Sequence, residues 1–404
     1  MKIGKFAEMH NITQDTVRHY LDLELLVAEK DGGHYKFSDS DSRDLKRIIE
    51  LKNLGFSLSK AQQIMAMQRL SGENTKAFRD FYLSCLKEKK EEVEGEIANF
   101  TTVKYQIKER INEIKWREKD KVQKLGLSLS SLHLLQCPYC QSQLTLPDGT
   151  IEQNNVIEAS INCSCGYSAE IKDGIYIDKS CVRTKLVNGE RLPTKEEYLD
   201  STTPNYSNFL YRGIATLVEY INKYEKELKY IVEIDNCVGF TLMQYIKYIP
   251  PESTYILIDY DYERITSLKK DLENFYQHKN FIFLCCDYNV LPLRKSSVDL
   301  VIDYHMTERY EKETGSKLYD VIVPLVKDKG TICGAYIYYE ELKGEAEITE
   351  SSLYNEEQMM ELINGYNLNL LDSTILGPLT EGISYNKDLS DRLTFQGAYI
   401  CKKI

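Results

Sequence analysis

Apolar residues recur at helical spacing from the first turn of the chain. Ile3, Phe6, Ala7 and Met9 fall on one face, which predicts a short helix. Asn11 and Ile12 interrupt it, and Thr13 is placed to cap a second helix from Gln14 to about Leu21. Two short helices across a tight turn make a helix-turn-helix, whose second helix can enter a major groove. Asp31-Gly32-Gly33 and then His34-Tyr35-Lys36-Phe37 suit a small β-wing, and Ser38 to Ser42 open another helix with Ser40 or Asp41 as its cap. Leu45, Ile48, Ile49 and Leu51 predict that helix, and Ala61, Ile64 and Met65 predict the next.

A different period governs the following stretch. Residues 76–124 hold no proline and a single glycine, and Val93, Ile97, Phe100, Ile107, Ile111 and Ile114 step by 4, 3, 7, 4 and 3, with Lys104 in the skipped position. A 3.5-residue repeat over three heptads predicts a coiled coil and hence a homodimer. From about residue 205 the pattern alternates again. An amphipathic helix over 206–226 precedes apolar runs at 230–235, 255–260, 281–287, 298–303 and 330–338, with helical stretches near 240–249, 261–276, 316–327 and 355–364 between them. Near-continuous apolar strands between helices predict a mainly parallel sheet covered on both faces. LLDSTIL and LTFQGAYICKK at the end read as a closing antiparallel hairpin. The fold class is therefore multidomain, α and α/β. Its parts are a winged helix-turn-helix (1–75), a long coiled-coil helix (76–124), a cysteine ribbon (130–180) and a Rossmann-like sheet (200–404).

Composition adds little until it is divided along the chain. Hydrophobic residues are 42% and charged residues 28% of 404, which is ordinary for a folded protein. The formal charge of −11 is uneven: residues 1–125 carry 24 Lys+Arg against 21 Asp+Glu, and the first 75 carry 11 of each. The acidic remainder argues against nucleic acid as a partner of the C-terminal part, but not of the N-terminal part, where it must be held by locally placed cations. The apolar runs are too short to cross a bilayer and the N-terminus lacks an apolar signal region, so no membrane partner and a cytoplasmic location are expected.

The landmarks of the first 70 residues are specific. TQDTVRHYLDLELL followed by GGHYKFSDSDSRDLKRIIELKNLGFSLSKAQQI resembles the MerR family of transcription regulators. That resemblance implies that Arg18 and Tyr20 touch phosphates and that His34, Tyr35 and Lys36 sit on the wing, where the family often carries Tyr-Arg-Arg. Gln14 and Asp15, at the exposed start of the recognition helix, are the candidates for base contact, with Thr13 and Thr16 beside them. It also implies an antiparallel helix-paired dimer on double-stranded promoter DNA. The family's action is to distort an over-long promoter spacer so that RNA polymerase can engage it.

Eleven cysteines in such a chain are not expected to form disulfides. Four of them, Cys137 and Cys140 in CPYC and Cys163 and Cys165 in CSC, have metal-ligand spacing. Four thiolates on two turns predict a closed, structural zinc site. CSCGYSAEIKDGIYID resembles the small zinc ribbons that precede some methyltransferase domains.

The alternating C-terminal half resembles a class I S-adenosylmethionine-dependent methyltransferase. Tyr255-Ile-Leu-Ile-Asp259 matches the second strand, whose acid holds ribose hydroxyls, Cys286-Asp287 matches the segment facing the adenine, and Val298-Asp299-Leu-Val-Ile-Asp303 matches the fourth strand. The glycine-rich first loop departs from the family: after Glu233 come Asp235, Cys237 and, as the only surviving glycine, Gly239. Lost glycines close off the backbone approach that the ligand needs, so S-adenosylmethionine binding is expected to be weakened or lost. Tyr260, Tyr288 and Tyr304 accompany the strand-end acids, and aromatic faces beside carboxylates suit a cationic, partly apolar effector. His305 is either a base or a polar surface residue, and no residue is assigned to catalysis. Two readings follow: a MerR-type regulator with a methyltransferase-like sensor of a small-molecule effector, or an active methyltransferase with a DNA-binding N-terminal domain.

Overall fold

A computed structural model of the chain describes residues 1–117, 124–178, 195–234, 239–276, 278, 280–341, 352–380 and 392–404. They form two compact units, Met1–Trp116 and Arg117–Ile404.

The first unit opens with α1 (Ile3–Met9) and α2 (Gln14–Asp22), and Thr13 caps α2 by accepting the Thr16 N–H at 3.1 Å. Such a cap contributes about 1 kcal/mol. The wing is the antiparallel pair β1 (Glu29–Asp31) and β2 (His34–Lys36). Two helices follow, α3 (Asp39–Asn53) and α4 (Leu58–Ser71). The cap of α3 is Ser38, not Ser40 or Asp41. Asp41 Oδ2 instead accepts the Ser38 N–H at 2.7 Å, so it serves as the far half of a capping box. Phe6, Val17, Leu25, Ile48, Leu51, Ile64 and Met65 fill the core, and Phe6 stacks on Phe37 at 4.2 Å to tie α1 to the end of the wing. The unit ends in α5 (Lys76–Arg117), 42 residues long. Its first turns bury Phe78 and Cys85 in that core, whereas every residue from 90 to 115 is exposed.

The second unit is built on one large sheet. Its strands are β3 (Leu127–Ser128), β4 (Thr150–Glu152), β5 (Asn155–Asn162), β6 (Ser168–Lys172), β7 (Ile175–Asp178), β8 (Tyr230–Ile234), β9 (Thr254–Asp259), β10 (Phe281–Cys285), β11 (Val298–Tyr304), β12 (Val326–Glu341), β13 (Leu368–Leu379) and β14 (Arg392–Lys403). Its helices are α6 (Lys195–Ser201), α7 (Pro204–Tyr224), α8 (Phe240–Tyr245), α9 (Tyr262–Phe275), α10 (Met306–Thr314), α11 (Leu318–Ile322) and α12 (Glu356–Gly365).

The parallel strands run β10-β9-β8-β11-β12, the 3-2-1-4-5 order of a doubly wound fold, and the antiparallel β14 and then β13 close the sheet. β8 to β11 are buried along their whole length, as their unbroken apolar runs require. One core lies on each face. The 316–327 helix is shorter than expected: α11 stops at Ile322, and α10, which the apolar pattern did not reveal, comes before it.

The cysteine segment continues this sheet. β7 pairs in parallel with β10, and β6 and β5 follow it antiparallel. The chain enters the unit through a tight slot. Leu125 is buried, and its N–H donates to Glu273 Oε1 at 2.7 Å. The same oxygen takes the buried Lys269 ammonium at 2.6 Å. Gly174 lies so near that a Cβ there would stand 2.5 Å from the Leu125 carbonyl oxygen.

Candidate DNA interface, thiolate cluster and sheet crevice

On the winged-helix unit, Gln14, Asp15 and Arg18 are exposed and Thr16 is half-buried along α2, and His34 and Lys36 are exposed on β2. Arg18 and Asp15 meet at 2.5 Å. Tyr35 is half-buried, with the Lys30 ammonium 4.8 Å from its ring centre. Helix and wing bound a groove of about 440 Å³ lined by Lys2, Arg18, Gly33, His34 and Tyr35. Tyr20 differs from the surface position implied for it. Its ring belongs to the core, and its hydroxyl accepts from Lys52 Nζ at 3.1 Å, so the cation presented at that point is Lys52.

Two knuckles bring the four cysteine sulfurs within 4.8 Å of one another. In the first, the Gln141 N–H donates to the Cys137 carbonyl with Gln141 at φ 59; in the second, the Gly166 N–H donates to the Cys163 carbonyl with Gly166 at φ 94. Both turns thus use a left-handed residue just after the second thiol. Cys137 and Cys165 lie 3.4 Å apart, as do Cys140 and Cys163. Four sulfurs at about 2.3 Å from a common ion would be separated by nearly 3.8 Å, so the cluster fits a tetrahedral metal ion. Burial pushes the Cys137 thiol up to about 12, whereas hydrogen bonds from Ser142 hold Cys140 down at about 6. The Tyr139 ring meets Tyr167 edge-on at 5.6 Å, and the Tyr167 hydroxyl bonds that of Tyr176 at 2.6 Å, which joins the cluster to the sheet core.

At the carboxyl ends of the parallel strands the acids face inward. Glu233 is buried and accepts the Tyr255 hydroxyl at 2.7 Å. Asp259 is buried, accepts the Asp261 N–H at 2.7 Å, and lies 3.5 Å from the Arg264 guanidinium. Asp287 caps its own turn by accepting the Asn289 N–H at 2.9 Å. Asp303 accepts from the Met306 N–H at 3.1 Å, the Tyr399 hydroxyl at 3.0 Å and the Thr307 hydroxyl. Burial raises its pKa, and these bonds oppose the rise. Tyr260 and Tyr288 meet edge-on at 5.4 Å, and Tyr304 stacks on His305 and donates to the Leu210 carbonyl. His305 Nε2 sits 2.9 Å from the Gln396 amide nitrogen, and burial lowers the His305 pKa to about 3, so the ring is neutral and held. Gly239 starts α8 at φ 74. Asp235 and Cys237 lie outside the described residues. The 3.5 Å Asp259–Arg264 pair is longer than a hydrogen bond, so what stands against S-adenosylmethionine is the sequence of the first loop, where Asp235 and Cys237 replace glycines.

Comparison with known proteins decides the N-terminal part. Residues 1–68 match the model of the MerR HTH family regulatory protein. The HTH-type transcriptional regulator YfmP of Bacillus subtilis is 36% identical over 99 residues, 23% of this chain and 68% of that protein. The chain belongs to the MerR family. It is also 28% identical to the HTH-type transcriptional regulator ZntR of Escherichia coli over 114 residues, 28% of this chain and 78% of that one. Among solved structures, it is similar to the MccD protein (TM-score 0.37, 9% identity, 46% of this chain and 96% of that one). It is also similar to a SAM-dependent methyltransferase from Aquifex aeolicus (TM-score 0.36, 13% identity, 52% and 99%). As a MerR-family regulator it is a DNA-binding protein. Within its DNA-binding unit, sequence reasoning passed over Lys2, Lys30 and Lys52. Lys30 could have been found, since a two-residue turn at Gly32-Gly33 sets it opposite Tyr35. No helix among the described residues is long and apolar enough to cross a membrane.

Proposed function

We propose that this MerR-family protein works as a homodimer on double-stranded promoter DNA. Its contacts are the cap Thr13, then Gln14, Asp15, Thr16 and Arg18 of α2, Lys52 beside Tyr20, and the wing residues His34, Tyr35 and Lys36. The dimer is paired through α5. The methyltransferase-like unit senses a small-molecule effector in its crevice, and the effector shifts the dimer between two DNA-bound shapes that RNA polymerase reads differently. It can do so only by binding those shapes with different affinity. Zinc in the four-cysteine site braces this unit structurally, and the protein acts in the cytoplasm. The observation that carries the reading is the exposed recognition helix and wing, with Arg18 and His34 lining one groove between them.

The test is anisotropy on duplex DNA from upstream of the protein's own coding sequence. Arg18→Glu and Lys36→Glu are each expected to weaken the complex at least tenfold, and Lys36→Glu, on the wing, to lower the slope of log K against log salt by about one for its lost phosphate contact. Unchanged binding would remove this DNA face. A second reading, an active methyltransferase, is favoured by the 3-2-1-4-5 strand order. Calorimetry with S-adenosylmethionine separates the two, with no heat of binding expected.

A further inference from the structure

The tip of the recognition helix carries an acid where a polyanion is to be met. Asp15 and Arg18 are three residues apart on α2 and so share a face. Their side chains meet at 2.5 Å while remaining 87% and 56% exposed, respectively. The neighbouring polar side chains are used otherwise. The hydroxyls of Thr13 and Thr16 are bonded to each other at 2.8 Å. The Gln14 amide lies back over α1, its nitrogen 3.4 Å from where a Cβ on Gly4 would stand. Asp15 and Arg18 are therefore the first-turn pair that faces outward as a unit, acceptor beside donor.

A carboxylate in this position is repelled by phosphates, and only a base edge that donates a proton compensates. In the major groove cytosine N4 and adenine N6 both donate, but adenine sets its N7 acceptor beside N6, against a carboxylate, so cytosine is the better match, and the guanine paired with it offers the two acceptors that suit a guanidinium. The Asp15–Arg18 pair thus complements the two halves of one G·C pair. We infer that Asp15 is the specificity-determining residue of the recognition helix and reads cytosine, with Arg18 balancing its charge and turned to the guanine. The same acid penalises every site without that cytosine. This matches a DNA-binding unit of 11 positive and 11 negative residues, which has no bulk positive field to hold unrelated DNA. The inference rests on the DNA-binding reading above.

The experiment is selection from a randomised duplex library with the full-length protein, followed by affinities for single-base-pair variants of the selected site. The wild type is expected to retain one C·G pair in each half-site and to lose tenfold or more when it becomes T·A. Asp15→Asn is expected to move the preference at that pair to A·T, because an amide matches adenine N6 and N7, and to tighten binding to unrelated DNA. Asp15→Glu should keep cytosine. A wild-type protein that enriches no sequence overturns both this inference and the DNA-binding reading. Specific binding whose base preferences are the same in Asp15→Asn, with helix content unchanged, overturns this inference alone.

Discussion

His305 illustrates how one residue can be both strained and silenced. It begins α10 in left-handed backbone at φ 63, a region costly for most side chains other than glycine and asparagine. Its ring is pressed between Tyr304 and the Gln396 amide. The folded-state pKa of about 3 lies below the unfolded value of 6.5, so the unfolded chain takes up the proton first. The stability this group contributes is complete above pH 6.5 and drains as pH falls toward 3. Between pH 6.5 and 5 the loss is about 1–2 kcal/mol. His305→Asn, which tolerates the same backbone, should flatten that limb of the pH–stability curve in urea melts; a curve identical to wild type would show that the ring is not held neutral. In its sequence neighbourhood a lone histidine after a strand reads as a polar surface residue sooner than as a base. What decides between them is Gln396, 91 residues away.

Helix α5 raises the matter of stability at the scale of the element. From residue 90 to 115 every residue is exposed, and the stretch holds Val93, Ile97, Phe100, Ile107, Ile111 and Ile114 on the heptad seam, Phe100 at 68% exposure. Isolated helices gain little from propensity alone, and an apolar seam left in water is unfavourable. A second copy is the occupant that a heptad seam suits. Phe100→Glu is therefore expected to turn dimers into single chains in sedimentation at micromolar concentration while leaving the melting of the winged-helix core in place. A variant that stays dimeric would place the pairing elsewhere.

The same scale shows what was legible. Strongly periodic elements could be read directly: α2, α5, α7 and the buried strands. α10 could not, because its buried positions are only Met306, Thr307 and Tyr310 among charged residues. Asp41 was mistaken for a cap because a capping box places an acid three residues beyond the true one. The crevice was legible as a set of acids, but their commitment was not. Whether Asp259 faces a ligand or Arg264 depends on how α9 lies against β9.

At the scale of the molecule, the cysteine segment is part of the large sheet. The parallel pairing of β7 with β10 joins strands more than 100 residues apart, which no local pattern announces. Cys137 and Cys163 are counted in the same core as Val232, Ile256 and Leu284 of the central strands. Loss of a metal from the thiolates should therefore soften the sheet and not merely a knuckle. Chelation, or Cys163→Ser, is expected to release one ion per chain and to lower the melting temperature of the second unit by on the order of 10 °C in calorimetry. The winged-helix transition should stay where it was. A metal-free protein with unchanged melting would leave the cluster as four thiols.

The slot that receives Leu125 and Gly126 has a bearing on how such a chain could be assembled from parts. Leu125 is a core residue of the C-terminal unit, and its backbone N–H donates to Glu273, which the buried Lys269 holds in turn. The natural seam for exchanging one reading head for another thus lies upstream of Leu125. A graft joined after Gly126 would leave a buried lysine and glutamate gripping an empty groove, whereas one that carries Leu125 along would inherit an intact receiver.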